Sequence, residues 1–492
     1  MAKVHFVTLG CPKNRVDAEH MLGLAMADGH QMVDEPTQAD TIVVNTCSFI
    51  GDAKKESIDA ILEMGELKKT GQQKLVVSGC LAQRYADQLT DEMPEVDHFI
   101  GTTDYVHIGH LLNPDEENPT ISADVSGTDF ISFNSLIAKS KEKQDQLITE
   151  VDVPKNLVSE DLQYVAKSET PRVNSMPKYT AYLKISEGCN NTCAFCIIPK
   201  LRGKQRSRTI DDLVKEAQQL ASEGVKELNL IAQDLTGYGY DLPGKPKLAH
   251  LLNALSEVEG IKWVRCMYAY PRTLSSELMT QLNTGKNILP YLDIPVQHGS
   301  DRMLRRMKRG KDQKRLSDLL IKCRNEVENL VLRSTVIVGF PGEEDDDFQK
   351  LVNFAQEVQF ERLGVFKYSD EEDTAAFDLD EKVPYKTKRS RYDKLMRRQR
   401  RISRNNCKRM LGEVHEAIVE GVSDEHDYLV QGRLWSQAPE IDGVTYLSSN
   451  RPLHAGEIVK VKIVDFHDYD VVGEVLEEDD PAAQQSQPFN LR

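Results

Sequence analysis

Three cysteines lie within eight residues near the middle of the chain, directly after the strand-like stretch Tyr182 to Ile185. They are Cys189, Cys193 and Cys196, spaced Cys-x3-Cys-x2-Cys, and are called here the central triad. Such a loop can place three thiolates around one face of a 4Fe-4S cluster, and no fourth cysteine follows nearby to bind the remaining iron. The alternative is a zinc site or three structural thiols, although zinc sites usually have four ligands at paired Cys-x2-4-Cys spacing.

A second set of cysteines, called here the N-terminal triad, follows three β-branched stretches. Each of Cys11, Cys47 and Cys80 comes just past the end of one stretch. Helix-like stretches between them, about Arg15 to Asp28 and Ala53 to Lys69, predict a β-α-β-α-β order and a parallel sheet. Parallel strands end at one sheet edge, so the thiolates would converge there on a second cluster with an exchangeable iron. The alternative is three unrelated core cysteines. The three stretches are Val4 to Gly10, Thr41 to Thr46 and Lys74 to Gly79.

The remaining three cysteines have no predicted ligand role. Cys266 lies in the strand-like run Ile261 to Tyr270, and Cys323 lies in the helix-like run Arg315 to Val327. Both are interpreted as small core residues. No role is assigned to Cys407.

Length and composition indicate a multidomain protein of the cytoplasm. A chain of 492 residues with 40% hydrophobic residues suggests about three domains, each able to bury a core. Met1 runs straight into a strand, with no signal peptide and no apolar stretch long enough to span a bilayer, so we expect no membrane partner. Cysteines in a reducing compartment are more often ligands than disulfides.

The middle of the chain alternates predicted strands and helices, which suits a partial β/α barrel with the central triad after its first strand. The predicted strands are Ala181 to Ile185, Glu227 to Ile231, Trp263 to Tyr268, Tyr291 to Val296, Val331 to Val338 and Arg362 to Tyr368. The predicted helices are Ile210 to Glu223, Leu248 to Ser256, Thr273 to Leu282, Asp312 to Val327 and Glu344 to Gln356.

Polar residues follow three of these strands, at the barrel mouth where such folds gather their chemistry. They are Gln233-Asp234 after the second strand, Gln297-His298-Gly299-Ser300 after the fourth and Val338-Gly339-Phe340-Pro341-Gly342-Glu343 after the fifth. The glycines of the last segment would allow a ligand to approach the backbone closely. Each segment alone would be an ordinary turn.

The segments on either side of the barrel differ in charge. Residues from about Asn113 to Lys178 are polar and are interpreted as a linker with one helix near Ser135 to Glu150. Lys386 to Arg409 contains twelve Lys or Arg and one acid, Asp393. This basic helix is either a solvated face or a surface that faces nucleic acid.

Five short strand-like segments after Gly412 predict a small antiparallel barrel of the OB-like kind, followed by a disordered tail from Asp479. From Leu411 to Asp480 there are seventeen Asp or Glu and four Lys or Arg, a net charge of about −13. Surfaces that bind nucleic acid carry the opposite sign, so this barrel would repel tRNA and could attract a basic protein. Acidity could equally serve solubility. The strands are Val414 to Val419, Asp427 to Arg433, Val444 to Leu447, Ile458 to Phe466 and Val471 to Leu476.

These features together resemble the methylthiotransferase family, which combines an N-terminal α/β domain, a radical S-adenosylmethionine (SAM) barrel and a small β-barrel called TRAM. One branch, MiaB, modifies an adenosine in tRNA, and another, RimO, modifies the β-carbon of an aspartate in a small-subunit ribosomal protein. The segment from Leu9 to Asn14, with Val16-Asp17, resembles RimO, where the tRNA branch typically has Gly-Cys-Gln-Met-Asn. The other RimO-like segments are Tyr291-Leu292-Asp293-Ile294-Pro295-Val296-Gln297-His298, Gly364-Val365-Phe366-Lys367-Tyr368-Ser369 and Ala438-Pro439-Glu440-Ile441-Asp442-Gly443.

The resemblance covers the chain except its linker and tail, and it implies a domain map. Residues 1–112 would be the methylthiotransferase N-terminal domain and 113–177 a linker. Residues 178–409 would be the radical SAM barrel with its basic C-terminal helix, 410–480 the TRAM domain and 481–492 a disordered tail.

The resemblance also implies cofactors and roles. The central triad would hold the cluster that cleaves SAM to a 5′-deoxyadenosyl radical, and the N-terminal triad would hold the cluster that carries sulfur. One SAM would donate a methyl group and another the radical, which suits an unactivated C–H bond that no base can deprotonate. No catalytic residue is assigned beyond the cluster ligands. The candidates for SAM contact are Gln233, Gln297, Ser300, Gly339, Gly342 and Glu343.

The predicted substrate is an aspartate of a small-subunit ribosomal protein, free or within the ribosome. The electron donor would be a protein such as flavodoxin or ferredoxin. Two alternatives remain open: a tRNA adenosine methylthiotransferase, and a non-catalytic iron-sulfur electron carrier or scaffold, which would not need a barrel mouth of SAM size. The Pro12-Lys13 signature and the acidic terminal barrel favour the ribosomal protein over tRNA.

Overall fold

The computed structural model describes residues 1–68, 73–112, 154–310, 312–423 and 429–477. The predicted helix near 135–150 and the predicted disordered tail lie outside them. None of the described helices is long and apolar enough to cross a membrane. The helices are α1 (Pro12–Ala27), α2 (Gly51–Lys68), α3 (Cys80–Glu92), α4 (Ile108–Leu112), α5 (Ile198–Arg202), α6 (Ile210–Ser222), α7 (Leu248–Leu255), α8 (Ser276–Thr284), α9 (Asp301–Arg306), α10 (Gln313–Glu326), α11 (Asp345–Val358) and α12 (Tyr385–Arg409).

The strands form three sheets and one short pair. In chain order they are β1 (Lys3–Thr8), β2 (Gln31–Met32), β3 (Thr41–Thr46), β4 (Lys74–Gly79), β5 (His98–Ile100), β6 (Asn156–Leu157), β7 (Thr180–Lys184), β8 (Ser186–Glu187), β9 (Arg206–Ser207), β10 (Glu227–Ile231), β11 (Trp263–Cys266), β12 (Ile288–Asp293), β13 (Val331–Val338), β14 (Arg362–Lys367), β15 (Val414–Val422), β16 (Val430–Leu434), β17 (Thr445–Ser448), β18 (Ile458–Phe466) and β19 (Val471–Val475).

The chain divides into two compact units, and each includes more than one stretch of sequence. Unit 1 comprises Met1–Ser175, Glu187–Asn191 and Cys196–Arg208. Unit 2 comprises Met176–Ser186, Thr192–Phe195 and Thr209–Arg492. The domain boundaries inferred from the sequence stay predictions.

Unit 1 is built on a six-stranded parallel sheet in the order β2-β1-β3-β4-β5-β6. Successive residues of a strand point to opposite faces, so Ile42 and Val44 of β3 enter one hydrophobic core while Val43 enters another. Every residue of β3 is buried, as expected for a parallel strand covered on both faces. The predicted parallel α/β domain is therefore confirmed.

Residues 154–175 belong to unit 1, and here the structure differs from the predicted linker. β6 is the sixth strand of the sheet, and Arg172 forms a buried ion pair of 2.6 Å with Glu19 on α1. A Cβ atom on Gly23 would lie 2.4 Å from the Pro171 backbone, so α1 needs glycine where this segment crosses it. The sequence could not predict these features. A two-residue strand is too short to show a hydrophobic period, and an ion pair between residues 153 positions apart leaves no local sequence pattern.

Unit 2 begins with a six-stranded parallel sheet in the order β14-β13-β12-β11-β10-β7. Helices α6, α7, α8, α10 and α11 contribute apolar residues to the core that covers this sheet, as α6 does with Leu213, Ala217 and Leu220. The predicted barrel strands are all present. The helix predicted from Thr273 starts instead at Ser276, because the Pro271–Thr273 segment forms a separate 3₁₀ turn.

The C-terminal strands of unit 2 close into a five-stranded barrel in the order β15-β16-β17-β19-β18. Four neighbouring pairs are antiparallel, as predicted, and one pair, β17 with β19, is parallel. An odd number of strands cannot alternate direction all the way around a closed barrel, so one parallel pair is obligatory. The predicted small OB-like barrel is confirmed with that correction.

A buried carboxylate joins the parallel sheet of unit 2 to the small barrel. Glu227 of β10 accepts hydrogen bonds from Arg265 of β11 at 2.9 Å and from Arg433 of β16 at 2.6 Å. All three side chains are almost completely buried. Although burial raises the pKa of Glu227, the two guanidinium groups lower it to about 2. The carboxylate therefore stays ionised and pairs with both cations. Arg433 also pairs with Glu420 at 2.6 Å, so within the described residues Arg265 is the cation that would otherwise be buried without a counterion.

We expect Glu227→Gln to destabilise unit 2 by about 3–5 kcal/mol, because removing one member of a buried ion pair leaves an uncompensated charge. Chemical denaturation followed by tryptophan fluorescence measures this, since both tryptophans of the chain, Trp263 and Trp435, lie in unit 2.

The matched control is Glu277→Gln, which breaks an exposed 2.8 Å pair with Lys247 and should leave the unfolding midpoint nearly unchanged. Because the pKa of Glu227 is depressed from 4.5 in the fold, its contribution is present above pH 4.5 and is lost toward pH 2. The stability difference between wild type and Glu227→Gln should therefore shrink over that range. Equal effects of the two substitutions would contradict the role of Glu227.

Candidate functional site

The cysteines of the N-terminal triad meet at the carboxyl edge of the unit 1 sheet. Cys47 directly follows β3, and Cys80 directly follows β4 as the first residue of α3. Burial, followed by the nearby thiols of Cys80 and Cys11, raises the pKa of Cys47 to about 12. Three cysteines distant in sequence are thus close enough to affect one another electrostatically.

Side chains from helices α1 and α2 fix the backbone of this edge. The Asn14 amide donates to the carbonyls of Leu9 at 3.0 Å and Thr46 at 2.8 Å. The Ser57 hydroxyl accepts from the Cys47 N–H at 3.0 Å and donates to the Cys47 carbonyl at 2.9 Å. These hydrogen bonds hold the loops of two cysteines in fixed positions relative to each other.

Two glycines allow neighbouring backbone segments to approach each other closely at this edge. Gly10 has φ +88°, and a Cβ atom there would lie 2.6 Å from the Cβ of Cys47. Gly79 has φ +95°, and a Cβ atom there would lie 2.5 Å from the Asn45 Oδ1. Both positions combine a left-handed backbone with no room for a side chain, so only glycine fits.

A buried arginine also lies at this edge of unit 1. The Arg202 Nη2 is 2.7 Å from the Asn14 Oδ1 and 3.4 Å from the Cys80 Sγ. Its Nη1 is 2.5 Å from the Asp17 Oδ2 and 3.5 Å from a Glu187 carboxylate oxygen. Burial raises the pKa of Cys80, and Arg202 is the group that opposes this most strongly. Arg202 thus favours the thiolate form of Cys80 and is itself held by two carboxylates.

The donor set of the N-terminal triad fits a cluster better than a single ion. Three thiols are soft ligands of the kind that bind iron-sulfur clusters. In the described part of the chain, no group of three or more His, Cys, Asp or Glu side chains is arranged around a position for one metal ion. A four-iron cluster attaches its cysteines to separate irons, so its ligands stand farther apart than those of one ion.

The central triad lies in a loop through which the division between units passes. In unit 1, the Cys189 N–H donates to the Gly203 carbonyl at 3.1 Å, and the Asn191 backbone and side-chain N–H groups lie 3.4 Å from the Cys189 sulfur. Cys196 belongs to unit 1 and precedes α5. The Asn191 N–H groups thus direct hydrogen bonds toward the Cys189 sulfur.

Cys193 belongs to unit 2 and has a cationic neighbour there. The Arg309 Nη1 lies 3.5 Å from the Cys193 sulfur, and the Arg309 guanidinium stacks on the Tyr270 ring at 4.0 Å. A positive charge held against an aromatic face therefore lies beside the Cys193 sulfur.

Two of the six candidates for SAM contact are engaged in a buried network of unit 2. The Ser300 hydroxyl donates to Asp347 at 2.5 Å. The Glu343 carboxylate accepts from the Gly339 N–H and lies 3.3 Å from the Arg391 Nη1. Because their hydrogen-bonding groups already have partners inside the protein, Ser300 and Glu343 hold the loops of the barrel mouth together.

The two glycine candidates face protein atoms. A Cβ atom on Gly339 would lie 2.3 Å from Lys388, and one on Gly342 would lie 2.7 Å from Glu381. The left-handed backbone at both positions, φ +74° and +79°, makes room for these side chains.

The two glutamine candidates are half-buried at strand ends. Gln297 has φ +71°, and its backbone pairs with β13 through the Thr335 carbonyl at 2.9 Å and the Ile337 N–H at 2.8 Å. Gln233 follows β10 at the same edge of the sheet. Its assignment as a SAM contact, like those of the other five candidates, stays a prediction.

Sequence reasoning missed Arg202 and Arg309. Arg202 comes six residues after Cys196, and a basic residue so close to a cysteine triad was an available signal. Arg309 contacts a cysteine 116 positions away in the sequence, so no local pattern could have identified it. By contrast, Cys266 and Cys323 lie in the core of unit 2, as predicted.

Three family models match consecutive parts of the chain. Residues 3–101 match a family described as uncharacterized protein family UPF0004. Residues 183–355 match the radical SAM superfamily, and residues 411–476 match the TRAM domain.

Curated relatives match over nearly the full length. An enzyme of Myxococcus xanthus named ribosomal protein uS12 methylthiotransferase RimO is 50% identical over 479 residues, covering 97% of this chain and 92% of its own. A protein of the same name from an Anaeromyxobacter strain is 47% identical over 487 residues, covering 99% and 96%.

A solved structure shares the fold. The radical SAM methyltransferase TsrM of Kitasatospora setae, with cobalamin and a 4Fe-4S cluster bound, superposes with a TM-score of 0.53 at 11% identity. The match covers 76% of each chain. At this identity the similarity concerns the fold alone.

We expect Ser300→Ala to lower the stability of unit 2 by about 1.5–3 kcal/mol, because the buried Asp347 carboxylate would lose a charge-assisted hydrogen bond. Fluorescence-detected denaturation measures the loss. The control is Ser222→Ala, which removes an exposed hydroxyl that donates only to its own helix. If Ser300 instead contacted SAM directly, the variant would bind SAM more weakly and keep the wild-type unfolding midpoint.

Proposed function

Since this chain belongs to the RimO family of ribosomal protein uS12 methylthiotransferases, we propose that it inserts a methylthio group at the β-carbon of an aspartate in uS12. The protein is a radical SAM transferase, and its cofactors are SAM and 4Fe-4S clusters. The reaction would take place in the cytoplasm, with an electron donor such as flavodoxin or ferredoxin.

One observation carries this proposal: the similarity to the uS12 enzymes extends through the N-terminal, barrel and TRAM segments together, at 50% identity over 97% of the chain. A non-catalytic electron carrier or scaffold would have no use for the radical SAM barrel. A tRNA enzyme would share the architecture, but the relatives at this identity are named for uS12.

We assign the sulfur-carrying cluster to Cys11, Cys47 and Cys80. The hydrogen bonds from Asn14 and Ser57 would fix the loops that carry the ligands. Hydrogen bonds to ligand sulfurs tune a cluster, so the Arg202 guanidinium beside the Cys80 sulfur would stabilise the anionic ligand set.

We assign the radical-generating cluster to Cys189, Cys193 and Cys196. When bound, the two clusters and SAM supply the radical, the sulfur and the methyl group. The chain's own residues have supporting roles: Asn191 directs its N–H groups to the Cys189 sulfur, and Arg309 places a positive charge beside Cys193. The buried contacts of Glu343 and Ser300 would hold the loops of the barrel mouth in position while substrate binds.

The small barrel would contact the protein substrate through its acidic surface. Asp465, Glu474 and Glu477 are exposed, whereas Asp468 forms an ion pair with Arg404 and Asp470 accepts from the Val444 N–H. Ribosomal proteins bind RNA through Lys and Arg, so an acidic surface complements them. Two further acids of the barrel, Glu413 and Glu440, are exposed, but their carboxylates already bind His415 and the Tyr182 hydroxyl. Asp465, Glu474 and Glu477 would therefore make such contacts.

The two cysteine sets should have separable roles. Anaerobically reconstituted wild type should bind about eight irons, and replacing Cys189, Cys193 and Cys196 by Ala should leave about four. Replacing Cys11, Cys47 and Cys80 by Ala should preserve reductive cleavage of SAM to 5′-deoxyadenosine and abolish sulfur insertion. Iron analysis and chromatographic detection of 5′-deoxyadenosine measure both effects. The control is Cys323→Ala, a core cysteine that should leave iron content unchanged. Methylthiolated product from the N-terminal triple variant would refute the sulfur-carrier role.

The substrate itself is tested by mass spectrometry of ribosomal proteins. Cells that contain the chain should carry a methylthio mass addition on one aspartate of uS12, and cells without it should lack that addition. Nucleoside analysis of bulk tRNA from the same cells is the control and should show no difference. A methylthioadenosine that depends on the chain, with unmodified uS12, would transfer the assignment to the tRNA branch.

A further inference from the structure

Helix α12 in unit 2 has a row of exposed basic side chains that the proposed chemistry does not use. With 3.6 residues per turn, these residues lie within about 60° of one direction around the helix. From first to last they span 22 residues, or about 33 Å at 1.5 Å per residue. We call this row the basic ridge; its members are Lys386, Arg389, Arg397, Arg400, Arg401, Arg404 and Lys408.

The opposite side of α12 supplies the packing that the fold needs. Leu395 and Ile402 are buried, Gln399 donates to the Phe360 carbonyl at 2.9 Å, and Arg391 pairs with Glu343 and Asp345. The fold therefore explains the inward residues and leaves the basic ridge unexplained.

Few acids neutralise the basic ridge. Within the described residues, its only ion pairs are those of Arg400 and Arg404, at 3.7 and 3.2 Å, and both are with Asp468. The one acid of α12 itself, Asp393, makes no ion pair there. The seven cations therefore have two acids nearby, Asp468, which pairs with two of them, and Asp393, which pairs with none. The net charge of the whole chain is −16.

An ordinary solvated helix would be arranged differently. Exposed helices usually intersperse both signs, and like charges four residues apart are destabilising by a few tenths of a kcal/mol. The basic ridge contains three such pairs, Arg397 with Arg401, Arg400 with Arg404, and Arg404 with Lys408. On helix α10 of the same unit, the exposed Lys314 pairs with Asp318 and Lys322 pairs with Glu326. The arrangement on α12 is one that a bound polyanion would stabilise.

The composition of the basic ridge favours RNA over a protein or a membrane. No apolar residue stands in the row, whereas protein interfaces need buried apolar anchors and membrane-surface helices need an apolar face. Five of its seven members are arginine, whose planar guanidinium matches phosphate oxygens in two-pronged hydrogen bonds. A straight row of this length suits several successive phosphates of a nucleic-acid backbone.

We propose that the basic ridge binds the phosphate backbone of small-subunit ribosomal RNA, so that the enzyme's substrate is uS12 within a ribonucleoprotein rather than the isolated protein. This inference rests on the proposed function. Unit 2 would then use two surfaces of opposite charge. The acidic small barrel contacts the protein, and the basic ridge contacts the RNA that surrounds it.

The test compares two full-length variants that each remove three positive charges. Arg389→Gln/Arg397→Gln/Arg401→Gln alters the basic ridge at residues without ion pairs in the described structure and keeps good helix formers. Lys314→Gln/Arg315→Gln/Lys322→Gln removes the same charge from α10 and is the control. Fluorescence-detected denaturation verifies that both variants keep the wild-type fold.

The first measurement is binding to protein-free small-subunit ribosomal RNA across a salt series. The dependence of log K on log salt has a slope of roughly −0.7 to −0.9 per phosphate contact, so the slope for the ridge variant should be shallower by about 2 to 3. Its affinity near 0.1 M salt should fall at least about tenfold, and the α10 control should match the wild type. Equal RNA binding by all three proteins would overturn the proposal.

The second measurement is the initial rate of methylthiolation on intact small subunits and on isolated uS12. The ridge variant should lose at least about tenfold in rate on subunits and keep the wild-type rate on isolated uS12. Equal losses on both substrates, or no loss on either, would overturn the proposal. A wild type that modifies neither substrate would refute the proposed function instead, and the RNA-binding series would still decide whether the basic ridge binds RNA.

Discussion

Parallel pairing of β1, β3 and β4 places their carboxyl ends on one edge of the unit 1 sheet, and the N-terminal triad depends on this constraint. Cysteines at positions 11, 47 and 80 have no local reason to meet. They meet because each follows a strand and the three strands run in the same direction. The sheet is buried on both faces, which fixes the register in which its strands pair. The glycines, amides and hydroxyls near the strand ends then hold the backbone that carries the three thiols in place.

The sequence predicted the parts of this arrangement that local pattern controls. β3, β4, β10 and β13 have the predicted bounds. β3, β4 and β13 contain β-branched runs, and β10, which has a single β-branched residue, is buried throughout. The fold class and the edge position of the N-terminal triad follow from the same patterns. The parallel β17–β19 pair was missed, since alternation within a strand does not report the direction of its neighbour.

The site residues that were missed, or interpreted differently, make contacts across long sequence separations. Arg202 reaches Asp17 and Cys80 over more than a hundred residues, and Ser300 donates to Asp347 across 47. A serine or glutamate after a strand looks the same in sequence whether it faces a ligand or a buried partner. Only the packing of α11 and α12 shows that Ser300 and Glu343 have partners inside the protein.

Unit 1 is assembled from three separate stretches of the chain, and this has a consequence for its biosynthesis. The chain leaves unit 1 after Ser175 and returns to it twice, last at Cys196–Arg208. A nascent chain therefore exposes the edge around Cys80 before Arg202 has been synthesised, 122 residues later, or roughly 6 to 24 s at common translation rates of about 5–20 residues per second. Until then Asp17 has no guanidinium partner from α5. Unit 1 can complete its fold only after translation has passed residue 208, so a fragment that ends before that point would lack part of its own core.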